Sequence, residues 1–60
     1  MAAKFEIYPD AKGEYRFRLK AGNGEVVATG QAYASKAGAI EGAKAVQRAA
    51  AAATITEVEK

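Results

Sequence analysis

The sequence predicts an α+β domain in the order β-β-β-α-β, and three observations predict it. Apolar and charged residues alternate without a break over residues 14–20, Asn23-Gly24 separates two strand-like runs, and after Ser35 small and apolar residues recur at three- and four-residue spacing.

The first strand covers residues 4–8, with Phe5 and Ile7 on one face and Lys4, Glu6 and Tyr8 on the other. Pro9 ends it by removing a ladder donor. Residues 9–13 hold Pro, Asp and Gly as a five-residue hairpin loop uses them, with Gly13 free to take positive φ. That loop sets Tyr8 opposite Glu14, Ile7 opposite Tyr15, Phe5 opposite Phe17 and Glu6 opposite Arg16.

The second strand, residues 14–20, turns Tyr15, Phe17 and Leu19 one way and Glu14, Arg16, Arg18 and Lys20 the other. Asn23-Gly24 is a type I′ turn signal, and the β-branched residues in 25–29 make a third strand. Two registers fit. A two-residue loop pairs Leu19 with Ala28, whereas a four-residue loop pairs Lys20 with Glu25 and Leu19 with Val26. Both place Val26 and Ala28 on the face of Phe17 and Leu19.

Residues 30–34 form a connection, and Ser35 is an N-cap for a helix starting at Lys36. Ala39, Ile40, Ala43, Val46 and Ala50 give it a buried stripe, with Lys36, Glu41, Lys44, Gln47 and Arg48 on the remaining surface. Gly38 and Gly42, one turn apart, cost about 1 kcal/mol each against alanine, so a close approach of the sheet or a partner is expected there. The helix ends somewhere in 49–53, where no Gly or Pro marks a stop. Residues 54–58 return to β-branched side chains at period two and form a short last strand.

Sixty residues make one domain, 1–60, and leave any core marginal. Half the residues are hydrophobic, yet sixteen of them are alanine, so the bulky core is thin. With no Cys and no His, disulfides are excluded and zinc or haem would lack its usual ligands, so no metal or cofactor is expected. Self-association is the remaining way to stabilise so small a chain, and a homodimer is expected with Ile40, Val46, Ile55 and Val58 as its shared core. The lack of Cys and of a leader-like apolar stretch points to the cytoplasm, and no run is long enough for a membrane span.

Catalysis by a Ser, Cys or His constellation fails on inventory, because Ser35 is the only candidate nucleophile of that set and has no His beside it. Gly22-Asn23-Gly24 lies between strands and is a turn, not a phosphate loop. The carboxylate pairs Glu6 with Glu14 and Glu57 with Glu59 are better explained by cross-strand pairing with Arg16 or Arg18 and by a charged chain end than by acid–base chemistry. Two binding surfaces remain. Lys4, Arg16, Arg18 and Lys20, with Tyr8 as the nearest aromatic, form a basic stripe that can meet nucleic acid, although Glu6, Glu14 and Glu25 dilute it and the net charge is only +2. Ser35 and Lys36, with the first helical amides, form a candidate anion site. The expectation is a non-catalytic binding or assembly module of unknown role and unknown small-molecule ligand, with weak nucleic-acid binding through Arg16, Arg18 and Lys20 as the alternative.

Lys4-Phe5-Glu6-Ile7-Tyr8, the run from Gly13 through Ala21, Asn23-Gly24-Glu25-Val26, and above all Tyr33-Ala34-Ser35-Lys36-Ala37-Gly38-Ala39 resemble the YegP-like family of small bacterial proteins. The match spans nearly the whole chain. The resemblance implies one copy of a unit that elsewhere occurs in tandem or as a homodimer, two copies building a common sheet and exchanging their C-terminal strands. It brings no catalytic or ligand-binding residue. The chain departs from the family at the helix exit, where Ala49 to Ala53 replaces an Asn- and Pro-containing turn.

Overall fold

The computed structural model describes residues 2–59. Three antiparallel strands, β1 (Lys4–Pro9), β2 (Tyr15–Lys20) and β3 (Val26–Thr29), form a sheet in the order β1-β2-β3, and one helix, α1 (Lys36–Ala52), packs over β1 and β2.

The first hairpin pairs two residues further along than the five-residue loop requires. Ile7 faces Phe17, Phe5 faces Leu19, Glu6 faces Arg18 and Pro9 faces Tyr15. Asp10 causes the shift. Its N–H donates to the Glu14 carbonyl at 2.7 Å, and its Oδ1 accepts from the N–H groups of Lys12 and Glu14, both at 2.9 Å. The loop shrinks to Ala11-Lys12-Gly13, with Gly13 at φ 83°. Because Asp10 and Glu14 are a bonded pair, alternation makes Pro9–Tyr15 a non-bonded one, so the missing proline N–H costs nothing and Pro9 stays in the strand. A shift of two keeps every side chain on its expected face.

In the second hairpin neither expected loop forms. Ala21 and Glu25 close a three-residue turn, with Gly24 at φ 89°, and Lys20 faces Val26. The register then slips by one, so that Leu19 faces Ala28 and Arg18 faces Thr29, which leaves Val27 as the extra residue of a bulge. Ala28 keeps the expected face beside Leu19, but Val26 moves to the polar side with Lys20. The strand, expected from residue 25, starts one residue later.

Beyond β3 the connection returns to the sheet. Tyr33 and Tyr15 exchange both backbone hydrogen bonds, at 2.7 and 2.8 Å, on the side of β2 that faces β3. Ser35 then caps α1 as expected, its Oγ accepting from the Gly38 N–H at 3.0 Å. The core centres on Phe17, 3% exposed, with Phe5 edge-on at 5.9 Å and Tyr33 stacked at 6.2 Å between ring centroids. Ala39 and Ala43 close it from the helix.

The helix stripe is buried only in its first half. Ile40 is half-buried, while Val46 and every helical residue after Ala43 are exposed. Seventeen residues span about 25 Å at ~1.5 Å each, longer than the six-residue β1 at about 20 Å, so the last turns overhang the sheet. The radius of gyration of 13.0 Å exceeds the roughly 10 Å of a compact chain of this length, as an overhang requires.

The expected last strand at 54–58 does not form within one chain. Residues 53–59 carry no strand pairing and are exposed throughout. Ala53 leaves the helix in extended conformation at φ −76° and ψ 141°, and nothing from 49 to 58 is Gly, Pro or Asn to turn the chain back. The intramolecular sheet edge is therefore out of its path.

Candidate functional site

Two surfaces carry features that the fold itself does not consume. The first is the polar face of the sheet. Because Lys4, Glu6 and Tyr8 of β1 stand opposite Lys20, Arg18 and Arg16 of β2, the β1–β2 ladder gathers four cations and one carboxylate on this face. Glu6 is the hub. Arg18 Nε donates to its Oε1 at 2.8 Å, and Lys4 Nζ and Lys20 Nζ each stand 3.6 Å from a carboxylate oxygen. The Arg18 hydrogen bond holds the Glu6 carboxyl below its ordinary range against an opposing effect of burial, helped by the charges of Lys20, Arg18 and Lys4.

The stripe is thus divided. Arg18 lies over the Tyr8 ring, 4.6 Å from its centroid, and covers the one aromatic on this face. Arg16 is taken by Asp10, whose Oδ2 accepts from its Nε at 3.0 Å. Burial raises the Asp10 pKa, but the Arg16 bond and the amides of Glu14 and Lys12 outweigh it and leave the group lowered. Glu14 enters no ion pair among the described residues, and Glu6 pairs with Arg18 instead of the Arg16 that stands opposite in the expected register. Sequence reading missed Asp10 as a partner; the signal was an aspartate three residues before a glycine at a strand end, the pattern of a side chain that closes its own turn.

At the helix start, the Ser35 hydroxyl is committed to the Gly38 amide and Lys36 is exposed. The geometry there is that of a cap.

The second surface joins the outer edge of β1 to the chain end. Phe5 and Ile7 sit in non-bonded pairs with β2, so their backbone N–H and C=O groups point to the free edge. Beside that edge runs an apolar groove lined by Phe5, Ile7, Ile40, Ala43, Lys44 and Gln47. Ile55, 101% exposed, and Val58, 85% exposed, lie on the unpaired segment 53–59. The four residues proposed as shared core thus fall apart in a single chain, with Ile40 in the groove wall and Val46, Ile55 and Val58 in solvent. Among the described residues no helix is long and apolar enough to cross a membrane.

Residues 10–57 match the model of a family described as a domain of unknown function, DUF1508. A protein of Treponema denticola named UPF0339 protein is 57% identical, over 97% of this chain and 100% of its own length. A solution structure of a protein from Haloferax volcanii superposes with a TM-score of 0.82 at 41% identity, covering 95% of this chain and 97% of that one. A second, of the protein ATU0232 from Agrobacterium tumefaciens, gives 0.73 at 45% identity, covering 92% and 89%. These confirm the three-stranded sheet with one helix. They also widen the expected bacterial distribution, since the family has archaeal members. None of these names carries a catalytic activity.

Proposed function

Because the chain belongs to the DUF1508 family, whose description names no activity, its role has to be read from its own surfaces, and we propose that it is a non-catalytic assembly module acting as a homodimer. In this reading segment 53–59 of each copy adds to the β1 edge of the other. The observation that carries it is an exposed β-branched segment and an open apolar groove in the same chain: Ile55 and Val58 stand in solvent on opposite faces of segment 53–59 as a strand, and the β1 edge with its groove stands open to Ile55. Full burial of such side chains is worth about 1.5–3 kcal/mol each, a large fraction of the stability of so small a chain.

Three features favour a second copy as the occupant. The helix exit has no reversing residue, so the segment is carried away from its own sheet. A straight exit of this kind favours exchange between identical chains. β1 is six residues long and unbulged, with Lys4 and Pro9 guarding only its ends, whereas β3 has four residues and a bulge, so the middle of β1 is the more regular free edge. The helical stripe continues from Ala43 to Val46 and Ala50 in solvent, where a second copy would lie. The polar face supports the nucleic-acid alternative less well, since its aromatic is covered and both its arginines are paired.

Sedimentation equilibrium from 1 to 100 µM tests the proposal. The expected result is a species of twice 6.2 kDa, with Ile55→Asp weakening the dimer by tenfold or more, as the loss of about 1.5–3 kcal/mol implies. A folded monomer across that range overturns the proposal.

A further inference from the structure

We infer a binding site for a small phosphate-class oxyanion between Lys4, Lys20 and the 22–24 turn, a site that stands independently of the assembly reading. Lys4 and Lys20 are directly opposed across the β1–β2 ladder. Like charges in that position destabilise a sheet, and functional sites are among the places where such a local rule is broken. The compensation here is incomplete. Both ammonium groups look to Glu6 at 3.6 Å, but Glu6 already accepts the shorter 2.8 Å bond from Arg18. Three cations share one carboxylate, which leaves a local excess of two positive charges.

That excess borders a cleft of about 280 Å³ whose lining includes Lys4, Lys20 and the turn residues Ala21 to Gly24. At about 30 Å³ per water the cleft holds several waters, or an anion that replaces them. Its walls are mostly small residues, with Lys4 exposed and Lys20 half-buried. Asn23 adds a donor: its Oδ1 accepts from the Glu25 N–H at 3.0 Å, which fixes the carboxamide and leaves Nδ2 to donate. Turned from Glu6 toward the cleft, the two ammonium groups join the Asn23 amide as a donor set for a tetrahedral oxyanion, with charge-assisted bonds from the lysines. The ligand is a single phosphate or phosphomonoester and not a strand of nucleic acid, because a strand would have to track over Arg16 and Arg18, which are held by Asp10 and Glu6.

The test is titration of the full chain with inorganic phosphate at constant ionic strength, followed by amide chemical shifts. Saturable shifts are expected at Lys4, Lys20 and residues 22–24. Lys4→Gln, at a 67% exposed side chain, is expected to raise the midpoint about fivefold with an unchanged circular dichroism spectrum, and Lys4→Gln with Lys20→Gln to abolish saturation. A matched series of oligonucleotides is expected to bind no more tightly per phosphate as length grows. Linear shifts up to 20 mM phosphate, saturation centred on Ser35 to Gly38, unchanged binding in the double variant, or affinity that climbs with oligonucleotide length would each overturn the inference.

Discussion

The ring of Tyr33 rests against Gly42, in space that a Cβ on that residue would occupy: a β-carbon built there meets the phenol oxygen and stands 2.5 Å from Cζ. The glycine that looks like a weakness in α1 is therefore the seat of the aromatic that links the β3–α1 connection to β2 and stacks on Phe17. This is the close approach expected at Gly42, although the approaching group comes from the connection and not from a strand. Gly42→Ala should gain about 1 kcal/mol in helix propensity and lose more, about 1–3 kcal/mol, to overpacking. Urea unfolding followed by circular dichroism checks it. In a Tyr33→Ala background the same change should stabilise, and if alanine stabilises the native sequence too, the contact is not as described.

Asp10 should govern the first hairpin. Asp10→Asn keeps the Oδ1 acceptor for the Lys12 and Glu14 amides but loses the charge that binds Arg16; Asp10→Ala loses both. Melting temperature should fall in the order native, Asn, Ala. Cross-strand contacts between Ile7 and Phe17 should weaken in the alanine variant, and equal melting of all three proteins would contradict the assignment.

Stability should fall in acid, with a sign fixed by Glu6 and Asp10. Both are lowered in the folded protein from ordinary values of 4.5 and 3.8. Folding therefore disfavours their protonation. Their contribution is complete above those ordinary values and is lost as pH drops through the lower folded ones. A Glu6→Gln, Asp10→Asn variant should show a flatter decline of melting temperature below pH 4.5, and an unchanged slope would refute the linkage.

The helix enters its first turn with no acidic residue and leaves its last with no basic one, so its dipole is uncompensated at both ends. Lys36 adds a charge of the wrong sign at the start. Lys36→Glu is expected to stabilise by about 0.3–1 kcal/mol at low salt and by less in 1 M salt. Thermal melts at the two salt concentrations measure it.

The three strands, the capped helix and the faces of β1 and β2 were legible in the sequence because each is written in short-range terms: period-two alternation, a serine before a helical repeat, glycine and asparagine at turns. Which residues face one another was legible only in part: Leu19 opposite Ala28 was one of two registers that fitted the second hairpin, while the pairs of the first hairpin were displaced by two residues. Register depends on how a turn satisfies its own amides, and Asp10 shortened one loop while the Val27 bulge moved Val26 across the sheet. The division of the basic stripe has the same origin, since only the shifted register puts Arg18, rather than Arg16, opposite Glu6 and leaves two lysines to share what remains of its charge.

The sequence by itself determined that this chain is short of bulky core: sixteen alanines, no disulfide and no histidine-bound metal are properties of composition. Only the tertiary structure decided where the shortage falls, on the overhanging half of α1 and on residues 53–59. The physical reason is geometric. Helix length and exit direction are set by the unbroken alanine run from 49 to 53, but whether a strand lies within reach of that exit depends on where the sheet ends, and within one chain it ends too soon.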